Sequence, residues 1–312
     1  MISRRDILRG MVGTGLLAAC PISTWACPSS TTMPASSKPM IEHARDFGAW
    51  VCWVGHSTVL IQLNGKWILT DPVLFDTYGV RALGLTLGPR RVSDPALTLE
   101  QLPKPDLVLL SHAHMDHMDR KTLDALTSLY PNELRAITAS NTSDVINDLP
   151  WRSLDEMDWG DRATIEGINV HALKVKHNGW RMPGEACRAG GQRRTGRSYN
   201  GYEIESGGAR VVFGGDTAYT KDFADVSGRV DIAIMPIGAY DPYPETHCTP
   251  EESLAMVEMM KARYMVPIHH ATFRQSQEPM NEPMQRLFSA IRKSSSHLAL
   301  REICGTLGLP FV

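Results

Sequence analysis

Along this chain, short apolar runs closed by turn residues alternate with stretches whose apolar positions recur every three or four residues. The first kind reads as strand and the second as amphipathic helix, because side chains repeat every two residues on a strand and every 3.6 on a helix. Val59 to Gln62 and Lys66 to Thr70 flank Leu63-Asn64-Gly65. Asn-Gly accepts the positive backbone angles of a tight turn, so this stretch predicts a hairpin that delivers Asp71 at its end. Asp106 to Leu110 is a largely apolar run bounded upstream by Pro103 and Pro105, as an interior strand should be. Ile168 to Val175, Arg210 to Phe213 and Tyr264 to Ile268 read as further strands, ending near His177, Asp216 and His269. Asp119 can cap a helix bearing Leu123, Leu126 and Tyr130, and Thr249-Pro250-Glu251-Glu252 is a capping box opening a helix with Leu254 and Val257 on one face.

This mixture of strands and helices predicts an α/β fold. At 312 residues, 43% hydrophobic and 21% charged, the chain can bury a large core and is neither disordered nor membrane-spanning throughout. The formal net charge of -2 argues against a nucleic-acid binder working through a broad basic face. No short-period repeat is evident.

The densest chemistry lies at Ser111-His112-Ala113-His114-Met115-Asp116-His117, straight after the strand expected at Asp106 to Leu110. Three of the chain's 11 histidines fall within six positions, which makes an accidental polar loop a poor account. Imidazole and carboxylate together suit zinc. His112 and His114 can point one way while Asp116 and His117 serve a second ion.

The HxHxDH run, with Thr70-Asp71-Pro72 upstream and Gly214-Gly215-Asp216-Thr217 downstream, resembles the metallo-β-lactamase superfamily of hydrolases. Gly55-His56-Ser57-Thr58-Val59, Gly88-Pro89-Arg90-Arg91, Met235-Pro236-Ile237-Gly238-Ala239-Tyr240, His247-Cys248-Thr249-Pro250-Glu251-Glu252 and Ile268-His269-His270-Ala271-Thr272-Phe273 narrow the match. Together they resemble the N-acyl-phosphatidylethanolamine-hydrolysing phospholipase D family and, more loosely, its relative ascorbate-6-phosphate lactonase, from about Trp53 to Phe273.

The resemblance implies a metallo-β-lactamase-like αββα sandwich of two related halves, with strand ends from both delivering metal ligands. It places His112, His114 and His177 on one zinc, Asp116, His117 and His269 on the other, and Asp216 between them. Such a pair, with its bridging hydroxide, is net positive, favours an anionic substrate and needs no protein nucleophile. Asp216 and His247 are the implied catalytic residues. His247 would donate a proton or hydrogen bond to a leaving group, and simple exposure is the competing reading. Asp71 is expected to support the metal loop, His56 to organise its own loop, and His270 to pack or hydrogen-bond where the phospholipase relative has an aromatic residue.

True zinc β-lactamases usually present Cys or Ser where this chain has Asp216, so hydrolysis of a phosphodiester, thioester or lactone is favoured over that of an antibiotic. HxHxDH also departs from the HxExD pattern of di-iron oxidoreductases in the superfamily. The expected protein is an exported dinuclear zinc hydrolase acting on a phospholipid or related phosphate diester through metal-bound hydroxide. A lactonase, or a metal-stabilised binding protein without catalysis, are the alternatives.

Leu74, Phe75, Tyr78, Val80, Leu83, Leu85 and Leu87 beside Arg81, Arg90 and Arg91 would suit an apolar entrance for a lipid phosphate, or ordinary loop packing. Arg181, Arg188, Arg193, Arg194 and Arg197, against Glu185 alone, form a basic segment that either draws anions or is solvated loop. Tyr199-Asn200-Gly201 stands where relatives commonly have Trp-Gly, which puts the pocket and lipid specificity in question.

Ser3-Arg4-Arg5-Asp6-Ile7-Leu8 resembles a twin-arginine export signal, with a weakly apolar stretch from Met11 to Ala19 too short to span a bilayer. Leu17-Ala18-Ala19-Cys20 resembles a lipobox that would attach Cys20 to a membrane. Cleavage after Thr24-Trp25-Ala26 is the competing route. The domains expected are a signal over 1–19, a tether over 20–45 and the hydrolase over 46–312, located in the periplasm or anchored to a membrane. Six cysteines show no CxxC spacing, so a cysteine zinc site is not expected; an oxidising compartment permits disulfides that sequence cannot pair.

Overall fold

Asn64 and Gly65 take φ of 49° and 81°, the positive angles of a tight hairpin turn, and Lys66 pairs directly with Leu63 across it. This hairpin sits inside the first of two seven-stranded sheets. A computed structural model describes residues 39–82, 84–182, 185, 198–226 and 228–311. The expected signal, lipobox and most of the tether, with Cys20 and Cys27, lie outside these residues, as do Leu83, Cys187, Arg188, Arg193, Arg194 and Arg197.

In chain order the strands are β1 (Ala49–Gly55), β2 (Thr58–Leu63), β3 (Lys66–Thr70), β4 (Val80–Ala82), β5 (Leu85–Leu87), β6 (Leu107–Leu110), β7 (Arg135–Ala139) and β8 (Ser153–Met157). They continue as β9 (Arg162–Ile165), β10 (Ile168–Leu173), β11 (Gly201–Ser206), β12 (Ala209–Phe213), β13 (Ile232–Pro236), β14 (Tyr264–Ile268), β15 (His297–Leu298) and β16 (Thr306–Leu309). One sheet runs β16-β1-β2-β3-β6-β7-β8 and the other β15-β14-β13-β12-β11-β10-β9, while β4 and β5 form a separate small hairpin.

Each large sheet changes from antiparallel to parallel along its width, at β3 to β6 in one and at β12 to β13 in the other. Three α-helices among the described residues accompany them: α1 (Arg120–Leu129), α2 (Pro250–Met259) and α3 (Glu282–Ile291). Trp53, Leu60 and Leu109 from one sheet share a buried core with Val170, Ile204 and Val266 from the other. Leu123 and Leu126 of α1 belong to that cluster. Leu254 and Val257 of α2 and Leu287 of α3 cover the second sheet with Ala233 and Met265. The layers are therefore helix, sheet, sheet and helix.

Most local expectations carry through, although the strand expected over Ile168 to Val175 ends at Leu173. Asp119 accepts from Thr122 N–H to cap α1, and Thr249 and Glu252 form the reciprocal capping box of α2. Tyr130 falls one residue beyond α1 as its C-cap. Residues 41–46, which overlap the end of the expected 20–45 tether, form a short 3-10 helix whose Ala44 is fully buried. Gln62 Nε2 donates to the carbonyl oxygen of Phe47 at 3.1 Å and to that of Ala44. These bonds tie Ala44 and Phe47 to β2 and satisfy carbonyls that burial removes from water.

Candidate metal centre and substrate cavity

The loops leaving the carboxyl ends of β3, β6, β10, β12, β13 and β14 converge on one place. They carry Asp71, the run His112 to His117, His177, Asp216, Ala239 and His269 in turn. His56 joins them from the β1–β2 turn. His56, Asp71, Ala239, His269 and Ala271 all have positive φ, between 34° and 63°. Such backbone strain in residues with a Cβ persists where surrounding contacts overdetermine it, and it concentrates at functional sites. Gly215 makes the approach from β12 feasible: with φ of 57°, its Cβ would lie 2.7 Å from Ser111 Cβ.

All seven residues expected to bind metal come together. His112, His114, His177 and Asp216 form one group of potential ligand atoms, and Asp116, His117 and His269 form another with His56, each spanning less than 4.8 Å. Asp216 Oδ2 lies 3.2 Å from His117 Nε2, 3.1 Å from His269 Nε2, 3.9 Å from His177 Nε2 and 4.0 Å from His112 Nε2. One carboxylate therefore faces both groups.

The far sides of four of these rings, those of His112, His114, His117 and His177, are anchored. His112 Nδ1 meets Ser111 Oγ at 2.9 Å, His117 Nδ1 donates to Asp71 Oδ2 at 2.7 Å, and His177 Nδ1 donates to the Thr246 carbonyl at 2.9 Å. Asn178 Oδ1 accepts from His114 Nε2 at 2.9 Å, leaving His114 Nδ1 facing His177 Nε2 at 3.3 Å. Such outer contacts fix tautomer and ring direction in metal sites. Buried His112 Nε2, His117 Nε2, His269 Nε2 and Asp216 Oδ1 have no hydrogen-bond partner among the described residues. Orphaned inward-facing donors of this chemistry fit metal ions.

Electrostatics agree. Burial holds His112 and His177 well below the usual imidazole range, and burial brings His114 down to about 4. Burial also opposes charge on His117 and His269, but Asp216 and Asp116 outweigh it, raising His117 well above its usual value and His269 to about 9. Burial likewise disfavours ionising Asp116 and Asp216, yet the charge on His117 overrides it and holds both well below the carboxylate range. The paired carboxylates demand positive charge here, which divalent cations supply.

Supporting residues fall into place. Asp71 Oδ1 accepts from Ser111 N–H at 2.7 Å while Oδ2 also accepts from Ser111 Oγ at 2.5 Å, so one buried carboxylate ties the metal loop and His117 together. His56 does organise its loop, its N–H donating to Thr272 Oγ1 at 2.7 Å, but its Nε2 also meets Asp116 Oδ2 at 3.0 Å. His270 packs on Trp53, with ring centroids 4.5 Å apart. Asn200 N–H donates to the Ser111 carbonyl at 2.9 Å, so the Tyr199-Asn200-Gly201 departure braces the loop from outside the cavity.

A cavity of about 460 Å³ opens onto this centre. His114, Asp116, Asp216, His247 and His269 meet it, and Tyr78, Val80, Leu87, Met115, Trp180, Tyr243, Arg274 and Gln275 form much of the remaining wall. His247 Nε2 lies 3.2 Å from Asp216 Oδ2 and its Nδ1 3.0 Å from Thr246 Oγ1. Tyr78, Val80 and Leu87 line the entrance as expected, whereas Leu74 is core and Phe75 lies beneath Lys121 Nζ at 4.0 Å. Arg91 is buried instead of facing substrate, donating to the Leu74 and Val73 carbonyls. Arg181 donates to the Ala113 and Met118 carbonyls at 2.7 and 3.0 Å, bracing the metal loop. Asn178, Arg274 and Gln275 escaped the sequence reading. Asn178 had a signal, immediate adjacency to His177; the other two follow the Phe273 motif end and had none.

A family model described as a β-lactamase superfamily domain matches residues 66–270. The chain belongs to this superfamily, which includes metal-dependent hydrolases. An uncharacterised protein of Mycobacterium tuberculosis is 31% identical over 247 residues, covering 77% of this chain and 63% of the relative. This chain therefore spans less than two thirds of that relative's length. N-acyl-phosphatidylethanolamine-hydrolyzing phospholipase D 1 of Caenorhabditis elegans is 27% identical over 269 residues, covering 78% of this chain and 69% of that protein. In fold, the chain is similar to the metallo hydrolase Igni18 of Ignicoccus hospitalis, with a TM-score of 0.59 at 19% identity over 85% of this chain and 99% of that one.

Proposed function

We propose that this protein is a dinuclear zinc hydrolase acting on a phosphodiester, specifically a phospholipid or a related phosphate diester. The observation that carries the proposal is a cavity joining two chemistries: a floor containing Asp116, Asp216 and three imidazoles, and walls containing Val80, Leu87, Met115 and Trp180. The floor suits a phosphate once cations are present, and the walls suit a hydrocarbon part. The phospholipase D relative in C. elegans supports the same substrate class.

His112, His114 and His177 would hold one zinc and Asp116, His117 and His269 the other, with Asp216 shared. Bound there, the ions would supply Lewis-acid charge and lower the pKa of water toward neutrality. The chain's own residues do the rest. Asp71, Ser111, Asn178 and Thr246 keep the imidazoles aimed, which lowers the reorganisation needed during reaction. His247 is a cavity-lining imidazole whose Nε2 lies 3.2 Å from Asp216 Oδ2, beside the place a group bound on the floor would occupy. It is therefore assigned to protonate the departing oxygen. The apolar walls exclude water from the reacting group.

Export through the Ser3 to Leu8 signal, with attachment at Cys20, completes the proposal. The test is turnover by zinc-loaded full-length protein across phosphodiester and lactone panels. Phosphodiester turnover that disappears on chelation is expected. Turnover restricted to lactones would replace this reading by a lactonase, and no turnover with zinc in place would favour a binding role.

A further inference from the structure

Gln275 places its side-chain amide between two partners from distant parts of the chain. Its Nε2 lies 2.5 Å from Asp116 Oδ2 and 2.8 Å from Tyr78 Oη. Asp116 Oδ2 also faces His56 Nε2 at 3.0 Å, His269 Nε2 at 3.4 Å and His117 Nε2 at 3.5 Å, a position suited to an accepting oxygen. The amide nitrogen, rather than the amide oxygen, must therefore point at Asp116. Its second hydrogen goes to Tyr78, whose oxygen accepts. A phenol that accepts has its own proton left to donate, and no acceptor for it is found among the described residues.

The Tyr78 ring is held firmly. It meets the edge of Phe273 with centroids 4.8 Å apart, and the chain on either side is pinned where a Cβ on Gly88 would fall 2.1 Å from the Tyr78 carbonyl oxygen. The same ring lines the cavity beside Asp116, Asp216 and His269. Arg274, the residue before Gln275, also lines it, is exposed, and has no ion pair or hydrogen bond among the described residues. Arg181, the other arginine on this wall, is committed to two backbone carbonyls.

We infer that Tyr78 and Arg274 form a substrate-anion subsite: the Tyr78 hydroxyl donates to a phosphoryl oxygen of the substrate, and the Arg274 guanidinium offsets that group's negative charge. Gln275 positions Tyr78 by satisfying its oxygen, so that the hydroxyl proton is directed into the cavity. The inference rests on the phosphodiester reading and deepens it by assigning the groups that recognise the phosphate apart from the metal-binding cluster. A fixed neutral donor suits this task, since it is already oriented when charge develops on the phosphoryl oxygens.

The test uses full-length zinc-loaded protein with Tyr78→Phe, which removes one oxygen, and Arg274→Gln. Elemental analysis should give wild-type zinc content in both. Tyr78→Phe should lower kcat/KM for a phosphodiester by about 10-fold to 100-fold, the scale of one hydrogen bond to a charged group, and Arg274→Gln should raise KM with little change in kcat. Calorimetric titration with inorganic phosphate should show weaker binding to each variant. Wild-type phosphate affinity and turnover in both variants would overturn the subsite. Loss of zinc from Tyr78→Phe, with phosphate affinity unchanged per bound zinc, would also overturn it, leaving only a brace for Asp116. If wild type binds phosphate in a Tyr78-dependent manner yet cleaves no phosphodiester, the functional reading fails while the subsite stands.

Discussion

Asp71 Oδ2 accepts a hydrogen bond from His117 Nδ1 at 2.7 Å although the two residues are 46 positions apart in sequence and leave the ends of different strands. The same carboxylate holds Ser111, so it aligns the start and end of the metal loop at once. Asp71→Ala should lower metal affinity by about 10-fold to 100-fold, the usual cost of removing such an outer partner. Competition with a coloured chelator measures this, and unchanged affinity would show that Ser111 and the strand alone aim His117.

Asp216 Oδ2 stands within 4.0 Å of imidazole nitrogens from both groups, so the pair of sites should fill together. Wild-type protein is expected to carry two zinc ions per chain. Asp216→Asn should retain fewer, because an amide supplies no negative charge between them. Elemental analysis of carefully loaded protein is decisive: one ion, none, or selective retention of iron would refute the dinuclear zinc assignment.

His247 contacts Asp216 and lines the cavity without belonging to either expected ligand set. His247→Ala should leave zinc content intact and reduce turnover by roughly 10²-fold to 10⁴-fold on a poor leaving group. The loss should shrink as the leaving group becomes more acidic, since a good leaving group needs no proton. Equal impairment along such a series would remove the proton-donor role.

His270 is held neutral down to about 3 by burial, with the charge on His269 adding to the effect. The unfolded chain protonates this imidazole near its ordinary value of 6.5, so between about 6.5 and 3 the unfolded state binds more protons and stability falls as pH drops. His270→Phe keeps an aromatic ring on Trp53 and removes that titration. Its melting temperature should fall less than that of wild type between about pH 7 and pH 4. Parallel melting curves would show that His270 contributes nothing to acid sensitivity.

Arg4 and Arg5 supply the feature read as a twin-arginine signal. Exchanging both for Lys preserves charge and should trap precursor in the cytoplasm, as fractionation would reveal. Cys20→Ala should separately abolish lipid attachment. Normal export of the double-Lys variant would refute the signal.

The sequence by itself determined the local elements and the chemical character of the centre. Asn64-Gly65 specifies its turn through backbone sterics, Thr249 to Glu252 specify a helix start through side-chain hydrogen bonds, and Leu107 to Leu110 declare a buried strand by composition. The clustered His112 to His117 run announced metal chemistry because so many donors lie so close along the chain. Tertiary structure decided everything that depends on meeting across long separations. Nothing in the periodicity around Gln275 indicates that its amide reaches Asp116, 159 residues earlier, and Tyr78, 197 residues earlier. The fates of Arg91 and Arg181 were equally hidden: an arginine reads the same in sequence whether its guanidinium faces a substrate or satisfies buried carbonyls. Only the packing of the two sheets selects between those outcomes, because it decides which backbone oxygens are removed from water and must find a donor.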